Sequence, residues 1–209
     1  MNSGTVTMRE LKAGILVTAF ATVAAGTGLA QDSDTAVEHG VHQHDAAPAL
    51  PSSDVLGEIL VDFSLVNAEG AAVTDEDFRG RYVLLGFGFT RCTDVCPLMA
   101  ANMAMAIRET EHETVGIFVS IDTERDDAQR TNAYASAFSK QMIGLGGTHE
   151  QVATAARNFK VSFAVTKTQS DYTVQHSSHL FLVDPDGKLV DVFALNANPR
   201  VIAGAMNGQ

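Results

Sequence analysis

The chain has 209 residues, with 25 Asp plus Glu against 14 Lys plus Arg and a formal net charge of -11. At 45% hydrophobic and 19% charged it can form one domain with a sizeable core, and its composition is not that of a disordered chain. The acidic balance, with no basic stripe, argues against a nucleic-acid binder.

Arg9 and Lys12 precede an uncharged run over residues 13–30, rich in Ala, Val, Leu, Ile and Phe. Gly28-Leu29-Ala30 supplies small residues at the two positions a signal peptidase reads, so residues 1–30 are expected to be a secretory signal peptide. An uncleaved membrane anchor is the alternative, although Thr and Gly dilute a run already near the lower limit for a span. Either way the folded part is expected outside the cytoplasm, periplasmic in a bacterium, where thiols oxidise unless a reductant intervenes. Residues 31–54 read as a flexible lead-in without hydrophobic period. His39, His42 and His44 lie in it, open to loose binding of a borderline metal or incidental to a linker.

One domain is expected over residues 55–205. Residues 60–65 alternate as an edge or hairpin strand, a turn follows at 67–70, and residues 76–78 read as a short turn or a single helical turn. Residues 82–87 (YVLLGF) are a compact apolar run suited to a central strand buried on both faces. Pro97 and the Ala-, Met- and Leu-rich residues 98–107 predict a helix, with Met99, Met103 and Ile107 on one face. That stripe reads as core packing before it reads as copper ligands. Residues 114–121 (TVGIFVSI) predict a second buried strand, 127–138 a helix, 142–145 a short strand, and 149–159 a helix capped by Thr148. Residues 161–165 follow, then a polar loop over 171–178. A hairpin is expected from 179–183 and 188–193 around Asp184-Pro185-Asp186-Gly187, then a last helix near Arg200. Strands alternating with helices, closed by a hairpin and helix, predict an α/β sandwich built on one mixed sheet.

Cys92 and Cys96 are the only cysteines. They sit where a buried strand hands over to a helix, and the unpaired amides of a helix start stabilise thiolate. Four residues apart, on a helix they would share a face. Three roles fit: a structural disulfide, weakly stabilising because its loop is tiny; a dithiol redox couple; or a site for a soft ion such as Cu(I). A metal would need a third ligand. His112 and His149 read as surface residues and His179 as a hairpin residue with core-like neighbours. His176, in the polar loop, is either that ligand or an ordinary loop histidine. Asp94, between the cysteines, reads as a solvated loop residue or a group assisting transfer.

The run from Gly86 to Pro97 with Leu98 and Met99 resembles the cysteine motif of the Sco/SenC family of copper-binding, thioredoxin-like proteins. Ser120-Ile121-Asp122 with Glu124, Arg125 and Asp126 resembles a second family segment. The stretch over 172–177, followed by Leu180 to Val183, Pro185 and Gly187, resembles a third. The resemblance implies a thioredoxin-like sandwich with a central mixed sheet flanked by helices. It also implies a copper ion held by Cys92, Cys96 and His176, with a role in building the binuclear copper centre of cytochrome c oxidase. The implied partners are a copper-receiving oxidase subunit, or another exported copper protein, and a protein thiol reductant. Thiol–disulfide reductase activity through Cys92 and Cys96 is the alternative. Gln175 stands where the family commonly has an acidic residue, a change expected to weaken Cu(II) relative to Cu(I) binding. The cleavable leader also departs from the membrane anchor of many relatives.

Overall fold

The computed structural model describes residues 58–169 and 172–208, all within one compact unit spanning His44–Gln209. The expected signal peptide, the His39, His42 and His44 lead-in and the start of the expected domain lie outside the described residues.

A short antiparallel hairpin, β1 (Ser64–Val66) and β2 (Ala72–Thr74), leads through a 3-10 turn at Asp75–Phe78 to β3 (Tyr82–Gly88). The chain continues through α1 (Val95–Glu109), β4 (Thr114–Ser120), α2 (Ala128–Ser136), β5 (Met142–Leu145) and α3 (His149–Asn158). After these come β6 (Phe163–Lys167), β7 (Tyr172–His176), β8 (His179–Val183), β9 (Leu189–Ala194) and α4 (Pro199–Asn207). Five strands form one mixed sheet in the order β5-β4-β3-β8-β9. β3, β4 and β5 are parallel, and β8 and β9 are antiparallel to their neighbours. Helices cover both faces, giving a thioredoxin-like α/β sandwich.

The strand runs beginning at Tyr82 and Thr114 are buried at every position, as their continuous apolar character requires. Val83, Leu85 and Phe87 face one core with Val152, Ala155 and Phe159 from the α3 region and Leu65 from β1. Leu84 faces the other, with Met99, Met103 and Ile107 of α1 and Ile202 and Met206 of α4. The methionine stripe is therefore core. Thr148 caps α3, its Oγ1 accepting from Gln151 N at 3.2 Å.

Three local expectations are corrected. Of the expected 60–65 strand only Ser64 and Leu65 pair, in a strand that runs on to Val66, and Leu60 is 60% exposed, so alternation there outran the available partner. The cysteine helix begins at Val95, so it takes in Cys96 ahead of Pro97, which lies in the first turn as expected. Pro97 fits because first-turn amides have no intrahelical partner to lose. The polar stretch at 171–178 is largely strand: β7 pairs with β6, which itself runs two residues later than expected, in the register Phe163↔His176 and Val165↔Val174.

Candidate metal centre

Ligands of open α/β sheets bind beyond the carboxyl ends of the strands, and the candidate residues gather there. β3 ends at Gly88 and turns through residues 89–94 into α1. β8 runs antiparallel to β3 with Leu180 opposite Gly86, so its amino end lies at the same sheet edge. His176 ends β7 only four residues before Leu180, and the topology returns it to the cysteines across 80 residues of sequence.

Cys96 is fully buried, Cys92 half-buried, and both are free thiols. Cys92 lies in the turn before α1, not on the helix, so the pair does not share a helical face. Its Sγ instead accepts from the Cys96 backbone N–H at 3.4 Å, taking one of the unpaired amides of the helix start. Asp94 occupies the N-cap position but makes no side-chain cap and is exposed.

The Cys96 Sγ lies 3.7 Å from His176 Nε2. The His176 Nδ1 lies 3.0 Å from the Ser177 carbonyl, which can only accept. The neutral ring must therefore carry its proton on Nδ1, leaving the Nε2 lone pair toward sulfur. Burial holds the His176 pKa below its ordinary value, favouring that neutral ring despite the opposing pull of the Ser177 carbonyl. Burial also pushes the Cys96 thiol well above its ordinary range, partly opposed by hydrogen bonding to the Phe89 backbone. Two sulfurs and a neutral imidazole suit a soft, low-coordinate ion. Among the described residues, no set of three His, Cys, Asp or Glu is already drawn into a metal-holding cluster.

Two carboxylates unassigned by composition or spacing hold this geometry. Asp126, buried, accepts from the Thr90 N–H at 2.7 Å, the Thr90 hydroxyl at 2.6 Å and the Ser120 hydroxyl at 2.8 Å. It ties the cysteine turn to the end of β4. Asp122, also buried, accepts from Arg125 Nε and the Tyr172 hydroxyl, while the Arg125 guanidinium lies 3.7 Å from the Tyr172 ring centroid. That clamp fixes the start of β7, whose last residue is His176. The Phe89 ring meets the imidazole edge-on at 6.0 Å. The segment around residues 120–126 showed in the sequence only as a charged stretch resembling a family motif. The polar partners that bury its carboxylates are brought together by the fold.

The other histidines lie apart. His112 is exposed near the amino ends of β3 and β4, its ring tilted against Tyr82. His149 is exposed against Phe163. His179 has the same strand parity as Phe181, which faces the α3 side. Gln175 is exposed and alternates with His176 along β7, so its missing charge is turned away from the imidazole.

Residues 53–208 match the SCO1/SenC family. The chain is 37% identical over 153 residues to Protein sco1 of Schizosaccharomyces pombe, covering 69% of this chain and 58% of that protein. It therefore spans little more than half of that relative's length. The copper-bound ScoI structure from Arabidopsis thaliana superposes with a TM-score of 0.66 at 30% identity, covering 71% of this chain and 98% of that one. BsSco, described with a disulfide switch and as a member of the Sco family of cytochrome c oxidase assembly proteins, superposes with a TM-score of 0.54 at 25% identity. That match covers 70% of this chain and 90% of BsSco. Among the described residues no helix is long and apolar enough to cross a membrane. With the match running through the cysteine turn, the 120–126 segment and the His176 strand, the chain belongs to the SCO1/SenC family.

Proposed function

We propose that this protein is an extracytoplasmic copper metallochaperone. It binds copper through the Cys92 and Cys96 thiolates and the His176 imidazole and helps assemble the binuclear copper centre of cytochrome c oxidase. The observation that carries the reading is the 3.7 Å approach of His176 Nε2 to Cys96 Sγ, with Cys92 at the adjoining helix start. The copper-bound relative and the oxidase-assembly family of BsSco support it. Copper is the cargo. Loading displaces thiol protons, with Cys96 holding its proton tightly, so affinity rises with pH. Three ligands at a sheet edge leave room for a recipient's sulfur or nitrogen to enter and take the ion.

The same pair supports dithiol chemistry, and the asymmetry of its exposure favours this second reading. Cys92, the more accessible sulfur, attacks a target disulfide and forms a mixed disulfide. Cys96 then displaces the target thiol, so the target gains two electrons and two protons and Cys92–Cys96 becomes the disulfide. A protein thiol reductant restores the pair.

Anaerobic Cu(I) titration of the reduced chain against a chromophoric chelator tests the proposal. One copper per chain is expected. The His176→Ala variant should lose more than the roughly 10–100-fold typical of groups that only support a ligand. Unchanged affinity in that variant would refute the ligand set. Reductase activity that persists in a Cys92→Ser, Cys96→Ser double variant would refute the dithiol reading.

A further inference from the structure

β6 and β7 form a ribbon in which each strand has only the other as a neighbour. Beside its first pair the Ser177 N–H donates to the Ser162 carbonyl at 2.9 Å, so Ser162 and Ser177 lie opposite each other as a hydrogen-bonded pair. Bonded and non-bonded pairs alternate along an antiparallel ladder. Ala164–Gln175 and Thr166–Thr173 are therefore the next bonded pairs, and Phe163, Val165 and Lys167 turn their N–H and C=O groups outward. Among the described residues these outward groups have no backbone partner. A row of unpaired strand groups is a template for another strand.

The same three residues line a cleft of about 700 Å³ whose opposite wall is the exposed side of α3, with His149 and Arg157. Lys167 is already paired with Glu124. Arg157 is not: its Nη2 donates to Thr154 Oγ1 at 2.8 Å, and among the described residues it meets no carboxylate. An unpaired guanidinium beside open strand groups is complementary to an extended segment that carries carboxylates. Residues directly opposed in a ladder share a face, and Phe163 stands opposite His176. The ribbon face that lines the cleft is thus the one from which His176 reaches Cys96.

We propose that the free edge of β6 is a docking site for an extended, carboxylate-bearing segment of a partner protein. The segment adds as a third strand, pairing with the outward groups of Phe163, Val165 and Lys167, and sets a carboxylate on Arg157. Docking itself needs no copper. Identifying the partner as the protein that receives the ion rests on the function proposed above, and it would hold that recipient one strand away from His176.

The probe is an end-blocked octapeptide of alternating valine and glutamate, titrated into the copper-free full chain and followed by amide hydrogen exchange. In the free chain the Phe163, Val165 and Lys167 amides should exchange fast and those of Ala164 and Thr166 slowly. The peptide should protect the first three, whereas an octapeptide of alternating valine and lysine should not. Val165→Pro removes an amide that the ladder does not use, so the ribbon should survive with its Cu(I) affinity, while peptide binding is lost. Arg157→Glu should weaken peptide binding about fivefold, the scale of one exposed ion pair, and carries the test if the proline variant does not fold. Absence of protection at saturating peptide overturns the proposal, as does equal protection by the lysine peptide. Protection that arises without peptide as the chain is concentrated also overturns it, assigning the edge to a second copy. Because the titration is copper-free, its failure leaves the copper ligands standing. Failure of the chain to bind Cu(I) removes only the recipient's identity.

Discussion

The two faces of β3 are built differently. Toward α3 the strand presents Val83, Leu85 and Phe87, and Phe87 meets Phe159 and Phe181 edge-on at 5.7 and 6.3 Å. Toward α1 the alternating positions are Tyr82, Leu84, Gly86 and Gly88, so side-chain volume vanishes toward the carboxyl end. A Cβ at Gly86 would meet Leu180 and Met99 at 3.1 Å, and one at Gly88 would meet Phe118 and the Cys96 sulfur more closely still. The large face fills a core. The emptied face lets the first turn of α1 lie against the strand end and sets Cys96 where His176 reaches it. One strand thus divides stability from function by parity.

That division can be broken from either side. Phe87→Ala should cost about 3–5 kcal/mol of stability by leaving a cavity among the phenylalanines. The folded fraction should bind Cu(I) as before, checked by denaturant unfolding and chelator competition on the same sample. Gly88→Ala should cost about 1–3 kcal/mol through overpacking. Unlike the first variant, it should also lose Cu(I) affinity, because one of the atoms that must move is the Cys96 sulfur. If Gly88→Ala bound copper normally, the emptied face would be packing and nothing more.

The smallest effect is in the pH dependence of the copper-free protein. The His176 pKa is depressed in the fold by burial, so below about 6.5 the unfolded chain takes up a proton that the native state resists. Stability should fall as pH drops through that value, and His176→Gln should flatten the fall. Cys96 has the opposite sense. Its folded pKa is raised, so stability should decline as pH rises past the ordinary thiol value of 9.0, and Cys96→Ser should remove that decline. Melting temperatures across pH check both arms.

Much of this was legible in the sequence. The runs at 82–87 and 114–121 read as buried strands, and Asp184-Pro185-Asp186-Gly187 marked the β8–β9 hairpin. The Cys92–Cys96 spacing announced sulfur chemistry at a strand-to-helix corner, although it left three roles open, and the family resemblance selected among them. His176 was harder to read. Tyr172-Thr173-Val174-Gln175-His176 is too polar to stand out as a strand, because β7 pairs in a two-stranded ribbon outside the main sheet. Its strand character comes from Val165 opposite Val174 and from the Asp122, Arg125 and Tyr172 clamp, both long-range.

The ligand set is tested most directly by X-ray absorption at the copper edge of the Cu(I)-loaded chain beside its His176→Ala variant. Two sulfur scatterers and one imidazole are expected in the unsubstituted protein, with the imidazole signature gone from the variant. Imidazole scattering that is absent from the first, or that survives in the second, would contradict the assignment of His176 and with it the proposed three-ligand site.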